Sequence, residues 1–145
     1  MKLFTMIFLS VFLGKSCSSQ TKNDLKTAIV EYTANTRGFY QKISIQNQMV
    51  TVSNDRRSSE KLVATAISNA DWKELVGYFE SIQLDSLATL KAPTEKRFYD
   101  GAAIADLKVL YKDKTYQTEA FDHGFPPVGI KKLVDKINSF AKKQK

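Results

Sequence analysis

Between Ala103 and Tyr111 the apolar residues fall on every second position, with Ala103, Ala105, Leu107, Val109 and Tyr111 on one side and Asp106 and Lys108 on the other. A period of two sends successive side chains to opposite faces of an extended chain, so this stretch predicts a strand with one face in a core and one in water. The turn at residues 112–114 then returns the chain as a second strand over 115–121. The same grammar holds earlier. Residues 25–33 place Ala28, Val30 and Tyr32 on one face; Thr36, Arg37 and Gly38 turn the chain; residues 39–45 set Phe39, Ile43 and Ile45 against Tyr40, Lys42 and Ser44; and residues 49–53 follow a tight turn at Gln46, Asn47 and Gln48. Strands joined by turns this short must be antiparallel neighbours, because a parallel pair needs a long crossover.

Two segments break into helical spacing. Trp72, Leu75, Val76, Phe79 and Ile82 follow an i, i+3, i+4, i+7 rule, and Ser68 with Asp71 three residues later predicts a capped N-terminus. Ile130, Leu133, Val134, Ile137 and Phe140 form a second stripe, with Pro127 placed for its first turn. Residues 54–60 are polar and predict a loop, and residues 62–67 a short strand or an extended approach to the helix. The expected fold class is α+β, an antiparallel sheet of about five strands in the order β-β-β-α-β-β-α with two amphipathic helices packed on one face. With 145 residues and 43% hydrophobic content, one core and one domain over residues 24–145 are expected.

The N-terminus follows other rules. Lys2 precedes an apolar run over residues 3–13, and Gly14, Lys15 and Ser16 lead to Cys17. A basic start, a short apolar run and small residues before a cleavage point are the parts of a secretory signal, here residues 1–16, and the run falls well short of the ~20 residues that cross a bilayer. Residues 13–19 resemble the lipobox of Gram-negative envelope lipoproteins, in which a small residue, here Ser16, precedes a cysteine, here Cys17. The resemblance implies that the Cys17 thiol is acylated and that cleavage makes it the new N-terminus. Lys15 stands where that family carries a small residue, and the aliphatic residue comes one step early as Leu13, so ordinary cleavage without lipid stays as the alternative. Cys17 is the sole cysteine, which rules out an internal disulfide, and acylation accounts for a lone thiol in an exported chain. Residues 17–23, polar after the cysteine, would serve as a tether, and the membrane would be the first partner, through the N-terminal lipid.

Lys and Arg number 22 against 15 Asp and Glu; without Lys2 and Lys15 the balance is 20 against 15, a surplus of +5. The lysines are dispersed apart from Lys142, Lys143 and Lys145, which suits solubility or weak attraction to anionic surfaces and gives no ground for nucleic-acid binding. One histidine and one cysteine supply no structural zinc site, and no carboxylate spacing matches a calcium loop, so no metal or other cofactor is expected.

Chemistry-bearing residues gather in two stretches. Residues 121–127 hold Asp122 beside His123, the single histidine, and residues 92–103 hold Arg97 and Asp100; Arg37 in the first turn could join Arg97 to receive an anionic group. The plain alternatives are a turn satisfied by Asp122 and Gly124 and a surface ion pair between Arg97 and Asp100. Two functions remain open. One is a non-enzymatic envelope module binding a protein, a cell-wall ligand or a small anion, with Arg37, Arg97, Asp100, Asp122 and His123 as candidate ligand residues. The other is a small hydrolase using His123 as base with Asp100 or Asp122 as orienter.

Overall fold

The computed structural model describes residues 23–57 and 61–144; Cys17, the leader and most of the expected tether lie outside them. Strands β1 (Ile29–Thr36), β2 (Phe39–Gln46), β3 (Met49–Ser53) and β4 (Ala64–Ala66) precede helix α1 (Asn69–Glu80). Strands β5 (Ile104–Tyr111), β6 (Lys114–Gln117) and β7 (Phe121–Asp122) then lead to helix α2 (Lys131–Lys143). Short 3-10 turns lie at Leu25–Thr27, Leu84–Thr89, Lys96–Tyr99 and Val128–Ile130. The sheet is antiparallel throughout, in the order β4-β3-β2-β1-β5-β6, with β7 also pairing with β5.

The expected α+β class is met, and the strand count is corrected from about five to seven among the described residues. Residues 64–66 do pair, against Met49–Thr51 of β3. The strand expected over 115–121 is broken in two. Gln117 pairs with Lys108 and Phe121 with Ala105, so three residues of one strand oppose two of the other, a bulge. Thr118 closes the gap: its N–H donates to the Leu107 carbonyl at 3.0 Å and its hydroxyl accepts from the Leu107 N–H at 3.1 Å. The first strand also starts later than periodicity predicts, because Asp24 caps a 3-10 turn at Leu25–Thr27 by accepting from the Lys26 N–H.

Three hairpins turn on two residues each, and two of these turns, Asn47–Gln48 and Lys112–Asp113, have all four residues at positive φ between 50° and 60°. That left-handed pair matches the twist of the strands it joins. The tight turns fix the register, and the register fixes the faces. Val30, Tyr32, Ala34, Ile43, Ile45, Val50, Ala105, Leu107 and Val109 are buried beneath the helices. Helix α1 adds Trp72, Leu75 and Phe79, and Phe79 meets Tyr111 edge-on at 6.3 Å. Helix α2 adds Leu133, Val134, Ile137 and Phe140, the stripe read from its spacing. Ser68 accepts from the Asp71 N–H as the capping pattern requires, and Lys136 of α2 reaches Asp71 of α1 at 2.6 Å, joining the two helices. Both helices therefore cover one face, and among the described residues no helix lies over the face that carries Glu31, Lys42 and Lys108. Among the described residues no helix is long and apolar enough to cross a membrane.

Candidate functional site

The two stretches singled out in the sequence do meet, at the end of the sheet where β7 pairs with the start of β5. After Asp122 the chain turns at Gly124, whose φ of +90° is a conformation side-chain-bearing residues avoid, and the Phe125 N–H returns to the Asp122 carbonyl at 2.9 Å. This turn leaves the Asp122 carboxylate facing residues 94–97. One oxygen accepts from the Thr94 hydroxyl at 2.5 Å and the Lys96 N–H at 2.7 Å; the other accepts from the Arg97 N–H at 3.0 Å and the Arg97 guanidinium at 3.1 Å. The carboxylate is fully buried. Burial alone would raise its pKa, but the Thr94 hydroxyl, the two backbone N–H groups and the guanidinium outweigh it and hold Asp122 at about 2. A carboxylate with four donors and so low a pKa is a structural anion that ties two loops together, and it does not serve as a general base near neutral pH.

His123 belongs to a different network. Its backbone N–H donates to the Ala103 carbonyl, and its Nδ1 lies 2.7 Å from the Tyr32 hydroxyl. Burial, then the charge of Lys142, keeps the imidazole below its ordinary pKa, while burial pushes the Tyr32 phenol up to about 12. With the imidazole neutral and the phenol protonated, the bond is satisfied by Tyr32 donating to Nδ1, which leaves the imidazole proton on Nε2. Behind Tyr32 stands Asn138 of α2, whose amide oxygen accepts from Gln41 at 2.8 Å and whose amide nitrogen donates to the Val134 carbonyl at 3.1 Å. Gln41, Asn138, Tyr32 and His123 thus form a polar line from the sheet to its end, flanked by the Phe39 ring 5.4 Å from the imidazole.

Arg37 and Asp100 stay apart from both networks. Arg37 is exposed in the β1–β2 turn, and Asp100 is exposed at φ 58°, ending the 3-10 turn Lys96–Tyr99. The ion pair read from the sequence between Arg97 and Asp100 is replaced by Arg97 with Asp122, because the turn after β7 carries the buried carboxylate directly under the Arg97 backbone. The carboxylate-oriented histidine that a hydrolase needs is not assembled: Nδ1 is bonded to Tyr32, and the Asp122 oxygens are bonded to Thr94, Lys96 and Arg97. Sequence reasoning missed Gln41, Tyr32 and Asn138 as polar partners. One signal was present: Gln41 falls in phase with Ile43 and Ile45, and a glutamine on a core-facing position demands a partner. Among the described residues no group of three His, Cys, Asp or Glu could hold a metal ion.

The uncovered sheet face offers a second arrangement. Glu31 at its centre pairs with Lys42 of β2 at 3.1 Å and Lys108 of β5 at 3.0 Å. Partial burial would raise the Glu31 pKa, but the hydrogen bonds and charges of the two lysines prevail and set it below its ordinary value. On one side of this line lies a hollow of about 270 Å³ walled by Tyr40, Lys42, Ser44, Thr51 and Leu62; on the other lies one of about 150 Å³ walled by Ile29, Lys108, Leu110 and Thr115, and Glu31 borders both. A wider hollow of about 690 Å³ opens at the opposite end of the sheet from His123, beside Asn23. Three of its polar groups are engaged with the protein itself, the Tyr111 hydroxyl with the Asp24 N–H, the Asn23 amide with the Ile82 carbonyl and Asp85 with Lys114. Compared with known proteins, the chain matches no family model, no curated sequence and no solved structure.

Proposed function

We propose that the chain is a lipid-anchored envelope protein, attached through Cys17, that works as a non-enzymatic binding module and presents its uncovered sheet face to an envelope protein, a cell-wall fragment or a small anionic ligand. The observation that carries this reading is the Lys42–Glu31–Lys108 line between two hollows, on a face that no helix among the described residues covers. Two ammonium groups share the Glu31 carboxylate in a half-sheltered place, with Asp106 farther along the same face held by the Gln117 amide, and the neighbouring Tyr40, Leu62 and Leu110 supply apolar walls. An anionic group arriving between the lysines gains charge-assisted hydrogen bonds and displaces part of their interaction with Glu31. The reading is further supported by the engagement of Asp122 and His123 in structural bonds, which removes the acid–base pair that catalysis would use.

Two measurements test it separately. Intact mass of the purified membrane form should show cleavage before residue 17 and the added mass of acyl chains; an unmodified Cys17 or an uncut leader removes the anchor. Binding is tested by retention from solubilised membranes and cell-wall digests on immobilised protein. The wild type should retain a partner that the Lys42→Glu and Lys108→Glu double variant loses, and retention indifferent to that reversal removes the sheet face as the binding surface.

A further inference from the structure

The two edges of the sheet are finished differently. At one, β6 carries Lys114, follows Lys112 and Asp113, and has the 3-10 turn Leu84–Thr89 packed against it, with the Lys114 ammonium 3.2 Å from Asp85. At the other, all three residues of β4 are exposed, Leu62 and Val63 before them are 45% and 74% exposed, and residues 62–67 contain no charge, proline or glycine. Native sheets guard an open edge with charges, prolines, bulges, a covering loop or shortness, because its unpaired backbone groups accept any strand that reaches them. Shortness is the one guard that β4 has. The Ile67 N–H donates to the Gln48 carbonyl at 2.9 Å, so along this extended stretch Thr65 also turns its backbone groups towards β3, and Ala64 and Ala66 turn theirs outward. Thr65 pairs with Val50, which is buried beneath the helices, and therefore stands on the helix side of the sheet, with Ala64 and Ala66 on the uncovered face.

We propose that β4 is a self-association edge, to which a second copy of this chain adds its own β4 in antiparallel pairing. The outward groups dictate the chemistry of the occupant, since a row of backbone N–H and C=O groups is matched by another extended backbone. Charge selects the chain's own strand. The surplus of Lys and Arg over Asp and Glu is seven, or five without Lys2 and Lys15, so two copies repel over most of their surfaces. Residues 62–67 set no charge against another, and antiparallel pairing sends the two Lys61 side chains to opposite ends of the joint. An edge paired with its own copy in this way is two-fold symmetric and closes at two chains. In the register that uses both outward alanines, Ala64 exchanges its bonds with Ala66 of the other copy, and Thr65 meets its own counterpart on the axis. Threonine facing threonine is a favourable cross-strand pair, and the small alanines beside it let the strands approach. The helices of both copies then lie on one side, and the two uncovered faces run together, with the hollow bordered by Leu62 next to the joint.

Self-pairing of β4 depends neither on the anchor nor on what the uncovered face binds, and it is tested without Cys17. All core residues lie between Leu25 and Phe140, so a chain beginning at Ser18 keeps the whole fold. Sedimentation equilibrium of this chain over a concentration series should show monomer and dimer and no larger species; a monomer throughout, up to about 1 mM, overturns the proposal. Ala64→Pro removes an N–H that points away from β3, so it should abolish the dimer with an unchanged urea midpoint. Thr65→Lys sets like charges against each other on the axis and should do the same without altering the backbone. A dimer that survives Thr65→Lys has its interface elsewhere and overturns the proposal. Register is read by cross-linking, because partners facing each other on the axis as a non-hydrogen-bonded pair lie within disulfide reach. Under copper phenanthroline, Thr65→Cys should link two chains at least tenfold faster than Val63→Cys, and equal rates overturn this pairing. Finally, the Ala64 and Ala66 amides should exchange with solvent at least tenfold more slowly in concentrated than in dilute samples. Protection that is the same at every concentration would mean that a segment of the same copy covers the edge, and it also overturns the proposal.

Discussion

Asp122 and His123 are adjacent in the chain, yet the structure sends them into networks that share no side chain. Asp122 gathers four donors from residues 94–97 and is wholly buried, whereas His123 accepts a single hydrogen bond from Tyr32 and is partly open. The cause is the geometry of an extended chain, in which neighbouring side chains point apart. An acid next to a base in sequence is therefore poor grounds for a dyad on a strand. The two networks also differ in kind. One is a charge whose loss leaves donors stranded, and the other is a neutral hydrogen-bond line, so they should respond to substitution and to pH by different amounts and in different windows.

The largest effect should come from Asp122→Asn. The amide nitrogen must face a hydroxyl or N–H donor, the Arg97 charge loses its buried partner, and both loops are released. Breaking one side of a buried, hydrogen-bonded ion pair costs about 3–5 kcal/mol. Urea unfolding should show a loss of that size, and a loss below about 1 kcal/mol would mean that the 94–97 loop is held by something other than this carboxylate.

Acid should separate the networks without mutation. The Asp122 pKa is lowered from 3.8 to about 2, so the folded state resists protonation that the unfolded chain accepts. Its contribution, about 2 kcal/mol, is complete above pH 3.8 and disappears as pH falls towards 2. His123 is also lowered, from 6.5, but it is a base, so the unfolded chain gains a proton first and stability begins to fall as pH drops through 6.5 towards the folded value. Urea midpoints taken from pH 8 to pH 2 should fall in two steps. His123→Gln should remove the upper step alone, and an unchanged upper step would detach it from this imidazole.

Tyr32→Phe sharpens the contrast. It removes the donor to His123 Nδ1 and the hydroxyl shared with Asn138, at a cost of about 1–2 kcal/mol, between the net value of one hydrogen bond and the desolvation of an orphaned nitrogen. The neutral imidazole loses its partner, so the His123 pKa should rise, a change that proton NMR titration reads directly. If the titration does not move, the tautomer assigned to His123 is wrong.

How much of this was legible in the chain divides along the same line. Local periodicity carried the fold: the parity of Val30 and Tyr32, the stripe from Ile130 to Phe140 and the Ser68 cap are all where spacing put them. What it could not carry were events with no local period. The bulge at residues 118–120 depends on the Thr118 hydroxyl replacing a backbone partner, and the turn at Leu25–Thr27 on an Asp24 cap that competes with strand propensity. The site was legible only as a list of residue types. That Arg97 would meet a carboxylate was foreseeable; that it would be Asp122, 25 residues away, and not Asp100, three away, required the register of β7 on β5. The Tyr32 hydroxyl could not be assigned a partner before β1, α2 and the end of β7 were in place, since its bonds run to residues about a hundred positions later.

The smallest predicted effect isolates the comparison, because it repeats the largest substitution on the other candidate acid. Asp100 occupies the left-handed conformation at φ 58° and ψ 20°, with its backbone N–H on the Lys96 carbonyl and its side chain exposed. Asparagine tolerates that conformation as well as aspartate does, so Asp100→Asn removes a charge and little else. Its effect on the urea midpoint should correspond to no more than about 0.5 kcal/mol. The same Asp-to-Asn change thus reads several kilocalories at residue 122 and almost nothing at residue 100, although both carboxylates lie within a few residues of an arginine in space or in sequence. Comparable losses at the two positions would show that Asp100 also holds the loop, and Asp122 could no longer be credited with organising this end of the molecule alone.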